Sequence, residues 1–252
     1  MTAISPRASG YSHAQYADSY PTGIAAHWWH LTRIGVVRRI IDQSPRSTIL
    51  DVGCGPGLTV DALRRLGYDC WGCEIAEPPV VQSVAPFVKT KADARELNSA
   101  FRSKVEVILL LDVLEHLERP EAFLFSLVQS YPVLRTVIIT VPARTELWSV
   151  WDELYGHFRR YDRPALRKLV DQANLHPVKV RYFFNSIYPA LFVTSKMGIR
   201  GNAMKSPRRT WLHKALSKVL SLEASIPGIG NLPGTSLLAV GEPSHTAGPG
   251  IR

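Results

Sequence analysis

The chain predicts an α/β architecture: a mainly parallel sheet buried on both faces by helices. Three observations carry this. Short apolar runs alternate with helical patterns along most of the chain, as parallel sheets with crossover helices require. The first run leads straight into a glycine cluster followed by a helix. And 252 residues with 46% hydrophobic content suffice for one sizeable α/β domain with insertions.

Residues 1–20 are Ser/Tyr/Ala-rich and read as an arm. Ile24, His27, Trp28, Leu31, Ile34, Val37 and Ile41 then recur at helical spacing, and Ser44-Pro45 ends that helix. Thr48–Val52 is a buried strand, and Leu58–Leu66 the helix after the glycines. Asp69–Glu74 reads as a strand, Pro78–Ala85 as a helix, and Phe87–Thr90 as a short strand. Val105–Leu111 is a stronger strand, apolar except for Glu106. Glu121–Ser130 is helical, Val133–Val141 is the fifth strand, and Arg163–Ala173 is a helix with Pro at its second position. Val178–Phe184 and Thr235–Val240 complete seven strands. Two stretches break the alternation: the insert 143–162 and the excursion 185–233. The predicted organisation is an N-terminal arm and helix over 1–45, a domain over 46–241 and a flexible tail over 242–252.

Composition narrows the partners. A formal charge of +9 implies an acidic one: a phosphate-bearing substrate, an anionic membrane surface or nucleic acid. No run reaches the roughly 18 apolar residues of a membrane span, and the start lacks the apolar core of a secretory signal, so the cytoplasm is the expected compartment. Three cysteines exclude a disulfide framework. Cys70 and Cys73 form a C-x-x-C in a strand, where residues three apart face opposite ways, so their thiols should not meet. No second C-x-x-C or histidine pair completes a zinc site, and no metal is expected.

The glycine loop Gly53-Cys54-Gly55-Pro56-Gly57 sits between a strand and a helix. Glycines allow a tight turn and close ligand approach, and the helix start offers free N–H groups. A dinucleotide loop would read G-x-G-x-x-G, whereas this one reads G-x-G-x-G and carries no Lys or Arg for a phosphate. Glu74 ends the next strand, where a carboxylate can accept ribose hydroxyls. Asp93-Ala94 follows the third strand, where an acid can accept from an adenine amino group. Together these favour adenosine without a pyrophosphate.

Ile49–Gly57 resembles the first motif of class I S-adenosylmethionine (SAM) dependent methyltransferases. Gly72-Cys73-Glu74-Ile75 is similar to their second motif, and Leu111–Leu117 (Leu-Asp-Val-Leu-Glu-His-Leu) to the motif after their fourth strand. That last motif is typical of the small-molecule branch that includes ubiquinone-type O-methyltransferases. The resemblance spans about residues 25–185 and implies a Rossmann-like fold with SAM as cofactor. It puts Gly53, Cys54, Gly55 and Gly57 around the cofactor with Asp51 supporting the loop. Glu74 and Ile75 fall at the ribose, Asp93 and Ala94 at the adenine, and Asp112 at the methyl-transfer site.

The acceptor is less legible. His116 lies after the fourth strand and either lines the pocket or, with Glu115, merely orients the loop. Within the insert, the run from Asp152 to Tyr161 resembles a D-x-x-x-G-H-x-R-R-Y pattern of bacterial methyltransferases accompanying glycan and lipid-linked saccharide genes. His157 is then a candidate base. Trp148, Asp152, Arg159, Arg160 and Tyr161 are candidate acceptor contacts, with aromatics stacking on a ring and arginines gripping an anion. The alternative makes Trp148, Trp151 and Phe158 core anchors and leaves the arginines solvated.

From Lys196 to Lys218 every charge is positive. Trp211–Leu222 reads as a helix with Leu212, Ala215, Leu216, Val219 and Leu222 on one face, suited either to an anionic membrane or to packing as a lid. The arm, with Tyr11, Tyr16 and Tyr20, is expected to close over the cofactor. The overall expectation is O-methylation of a small molecule, sugar or lipid-linked glycan. A nucleic-acid methyltransferase is the weaker alternative, because the fourth strand ends without the Asn/Asp-Pro-Pro-aromatic or Pro-Cys motifs of those enzymes. A SAM-binding protein without turnover is the other alternative.

Overall fold

The computed structural model describes residues 20–43, 46–197 and 208–244; Tyr11, Tyr16, Arg200, Lys205 and the tail beyond 244 lie outside them. In chain order the elements are α1 (Trp28–Ile41), β1 (Thr48–Val52), α2 (Leu58–Arg65), β2 (Cys70–Cys73), β3 (Val88–Lys89), α3 (Ser99–Arg102), β4 (Val105–Leu111), α4 (Pro120–Gln129), β5 (Thr136–Pro142), α5 (Val150–Leu154), α6 (Arg163–Gln172), β6 (Leu175–Phe183), α7 (Tyr188–Lys196), α8 (Thr210–Glu223) and β7 (Ser236–Pro243).

All seven expected strands join one sheet in the order β3-β2-β1-β4-β5-β7-β6. The first five run parallel, and β7 pairs antiparallel with both β5 and β6. The chain reverses its winding between β1 and β4, which are neighbours. Their carboxyl ends therefore splay apart into a crevice, the usual ligand position of an open α/β sheet.

Alternation of side chains divides the core into two layers. Leu50, Ile108, Leu110 and Ile139 pack with α4 and α6 on one face. Ile49, Leu109, Leu111 and Ile138 pack with α1, α2 and Leu220 of α8 on the other. Cys70 belongs to the second layer and Cys73 to the first, so the two thiols are free and on opposite faces.

One local expectation fails for a physical reason, and one open alternative meets its geometry. Pro78–Ala85 is not an α-helix but a 3₁₀ turn over Gln82–Phe87. Three prolines at 78, 79 and 86 remove donors, and Val81 N–H is drawn to Pro56 O at 2.9 Å. In α8 the apolar face, read as suited either to a membrane or to packing as a lid, points largely outward: Val219 and Leu222 are 60% and 67% exposed, while Ser217 and Leu220 are buried against α1. The excursion also contains α7, which periodicity did not single out.

Candidate active site

The crevice between β1 and β4 opens into a cavity of about 620 Å³. One rim is built by backbone. Gly53, Gly55 and Gly57 all have positive φ (74°, 53° and 84°), so the loop turns sharply out of β1. A Cβ on Gly53 would stand 2.7 Å from Val113 Cγ2, and one on Gly55 would stand 2.7 Å from the Tyr20 hydroxyl. Glu74, at the end of β2, accepts from Gly55 N–H at 2.9 Å and from Ala76 N–H at 3.0 Å. Its carboxylate thus pins the loop and keeps further lone pairs for a ligand. Beneath the loop, burial, opposed by Arg33 and reinforced by Glu74, pushes the Asp51 carboxyl up to about 7.

The other rim is built by side chains from distant segments. After β4, Asp112 adopts φ 60°, and Leu114–His116 form a 3₁₀ turn that turns Glu115 inward and His116 toward the cavity. Across the gap, the insert brings up His157, whose ring packs edge-on to that of His116 at 4.7 Å. His157 Nδ1 lies 2.8 Å from Asp152 Oδ1. Asp152 also caps α5 through Ser149 and accepts a two-armed contact from Arg160 at 2.8 and 2.9 Å. Those partners hold its carboxyl below the usual range despite burial. Burial, aided by the neighbouring His157, lowers His116 to about 4, so its ring is neutral near pH 7.

Helix α1 closes the cavity. His27 caps it, and Trp28, Trp29, His30 and Arg33 face inward. Arg33 Nη1 meets Asp112 Oδ2 at 2.5 Å, and its guanidinium lies 4.4 Å from the Trp29 ring centroid. This pair links the two rims. Opposite, Ile187 and Leu191 of the α7 region line the wall. Tyr188 and Arg144 both bond Glu146, fastening α7 to the insert.

Of the cofactor residues expected from sequence, Gly53, Gly55, Glu74, Ile75 and Asp112 line the cavity, and Asp51 and Cys54 lie directly beneath. Gly57 caps α2. Asp93 stands apart from this wall: it caps the turn starting at Ala94 and pairs with Arg95. Of the acceptor residues, His116, Asp152, His157 and Arg160 line the cavity. Three others have structural placements instead. Trp148 is 37% exposed, Arg159 donates to the carbonyls of Leu117 and Glu118, and Tyr161 is buried with its hydroxyl on Leu114 O. The expected anion grip by the arginines is therefore directed inward, since Arg160 is committed to Asp152 and Ala143 O. Sequence reading missed Arg33, His30 and Trp29. The signal was present: His30 and Arg33, three apart, interrupt an otherwise apolar helix face.

Comparison with known proteins agrees with this geometry. A family model described as "Methyltransferase domain" matches residues 30–180. The mitochondrial ubiquinone biosynthesis O-methyltransferase of Schizosaccharomyces pombe is 28% identical over 111 residues, 39% of each chain. Its counterpart from Roseobacter denitrificans is 34% identical over 84 residues, covering 31% of this chain and 34% of that one. The matched segment spans less than half the length of either relative. The crystal structure of Burkholderia thailandensis 1,6-didemethyltoxoflavin-N1-methyltransferase, with its didemethyltoxoflavin and S-adenosylhomocysteine bound, aligns with a TM-score of 0.54 at 15% identity, over 92% of this chain and 84% of that one. With its sheet order, its glycine loop and a family match across most of the sheet, the chain belongs to the methyltransferase-domain family and has the fold of class I SAM-dependent methyltransferases.

Proposed function

We propose that the protein transfers a methyl group from SAM to a hydroxyl oxygen of a small molecule, sugar or lipid-linked glycan. One observation carries the reading: a single cavity is bounded by the glycine loop and Glu74 on one side and by His116 and His157 on the other, with Asp112 between. A cofactor and an acceptor held against those rims would meet at Asp112. The residues present fit the cofactor: three left-handed glycines turn the loop backbone along the cavity, and Glu74 offers lone pairs where ribose hydroxyls would lie.

When bound, SAM supplies a methyl group on a sulfonium that already carries a good leaving group. The chain's own task is then to orient the acceptor and exclude water, which can be worth ~7–11 kcal/mol. Trp28, Trp29, Ile187 and Leu191 provide the apolar walls for that exclusion. His116 and His157 present polar ring atoms toward the acceptor oxygen, and Asp152 fixes the ring of His157. The weak likeness to ubiquinone O-methyltransferases supports an oxygen acceptor on a small molecule.

The lipid-linked version has its own support. Trp211, Val219 and Leu222 of α8 are 60–67% exposed and share the helix with Lys214 and Lys218. An exposed apolar and basic face suits an anionic bilayer presenting such an acceptor. No described helix is long and apolar enough to cross a membrane, so contact would be peripheral.

The test is incubation with methyl-labelled SAM and cell extract separated into lipid, small-molecule, protein and nucleic-acid fractions. Label in the lipid or small-molecule fraction supports the reading. Label confined to nucleic acid or protein refutes it.

A further inference from the structure

The chain's formal charge of +9 is not carried into the cavity. The guanidiniums that line it, those of Arg33 and Arg160, share the wall with the carboxylates of Glu74, Asp112 and Asp152. Each guanidinium is committed to one acid. Arg33 Nη1 meets Asp112 Oδ2 at 2.5 Å, and Arg160 meets the two oxygens of Asp152 at 2.8 and 2.9 Å. Both pairs are shielded, the arginine side chains being 10% and 15% exposed.

Other polar groups of the wall are held toward their neutral forms. Burial lowers His27 and His116 to about 4 and His30 to about 3, with neighbouring groups adding to it, so these rings are neutral near pH 7. Burial, reinforced by Asp112, pushes the Glu115 carboxyl well above its ordinary range. One carboxylate is thus left in excess over the two guanidiniums, and it matches the single net positive charge of SAM.

We infer that the two ion pairs act as a charge filter: the acceptor is uncharged and presents a flat ring over the part that the cavity holds, with any phosphate or carboxylate kept outside. The inference rests on the methyl-transfer reading and narrows its acceptor. An anion can be gripped by Arg33 or Arg160 only by drawing the guanidinium off its acid. That exchanges one shielded pair for another and strands a carboxylate without a counter-charge, which is strongly unfavourable. An uncharged acceptor disturbs neither pair.

The flat ring follows from the rest of the lining. Trp28, Trp29, Trp151 and Tyr155 share the cavity with the histidine rings. Trp28 is braced edge-on by Phe184 at 5.4 Å, and Trp29 by the Arg33 guanidinium at 4.4 Å, so both indoles are fixed in place. Fixed aromatic walls favour offset or edge contacts with another ring. Arg33 bears on both features, as one member of the filter and as the brace of an indole.

The test takes full-length protein saturated with sinefungin, a SAM analogue with an ammonium in place of the sulfonium. It is titrated calorimetrically with naphthol and with naphthyl phosphate near pH 7. Wild type should bind naphthol at least ~10-fold more tightly, since an anion here meets only committed cations. Equal or tighter binding of the phosphate overturns the filter, and binding of neither compound overturns the ring. Asp152→Asn keeps the shape of the hub and frees the charge of Arg160. It should tighten naphthyl phosphate by ~10-fold and change naphthol little. An unaltered ratio in a variant that still binds sinefungin overturns the filter. These affinities need no methylated product, so failure to find one would overturn the proposed function alone.

Discussion

The two rims of the cavity are made in different ways. The cofactor rim comes from two neighbouring strand ends, and its shape is set by backbone: three left-handed glycines and one carboxylate that accepts from the amides of Gly55 and Ala76. The acceptor rim comes from the turn after β4 and a far insert, and its shape is set by side chains converging on Asp152. A backbone-made rim tolerates almost any neighbour but no added Cβ. A side-chain rim tolerates backbone variation but depends on one hub. Under the proposed function, the fixed rim serves a constant ligand and the adjustable one the acceptor.

The largest break of this comparison is expected at the hub. Asp152→Ala removes the partner of a mostly buried Arg160, the anchor of His157 and the cap of α5 at once. Breaking such a pair typically costs ~3–5 kcal/mol, and the partial exposure of Arg160 argues for about 3. Thermal unfolding should show that loss. Methyl transfer should fall by ~10²-fold or more, the usual scale for displaced acid–base or positioning groups. Cofactor affinity, measured by calorimetry below the new melting temperature, should barely change. An equal loss of cofactor affinity would mean the rims are not separable.

The converse variant is Gly53→Ala. The new methyl meets Val113 and a φ of 74°, so the loop must shift. S-adenosylhomocysteine affinity should drop about 10-fold or more, equivalent to roughly 1.4 kcal/mol. Acceptor turnover at saturating SAM should persist in the same protein. Loss of both together would make Val113, which joins the β4 turn to the loop, a mechanical link between the rims.

This difference also decides what was legible beforehand. Residues 49–57 and 72–75 are contiguous, and their chemistry is local to each strand end, so they can be read from spacing alone. The sheet was equally legible because each strand is a compact apolar run. Asp152, Arg160 and His157 were found through a contiguous pattern, but the inward commitment of Arg160 to Asp152 was not foreseeable without the fold. Arg159 and Tyr161, next to them in sequence, face elsewhere. Arg33 escaped because its partner Asp112 lies 79 residues away, and no periodicity encodes that pairing. In α8 the pattern left open whether the apolar face packs or faces outward, and packing on α1 selected the small Ser217 with Leu220.

The smallest expected effect concerns what holds α8 against α1. Trp28 N–H donates to His213 Nδ1 at 3.2 Å, and the rings of His27 and His213 are 4.8 Å apart. Burial, with His213 adding to it, lowers His27 to about 4 from an ordinary 6.5. Unfolded chain therefore binds the proton at a higher pH than folded chain does. Between those values the unfolded state carries more protons, so stability rises with pH across that window. The contribution of a neutral His27 is complete above about pH 6.5 and lost as pH falls toward 4. His30 adds a slope of the same sign, so the informative quantity is the difference from His27→Gln. The melting-temperature gap between wild type and this variant should narrow from pH 7.5 to pH 5. A gap of constant width would show that His27 stays protonation-silent across this window.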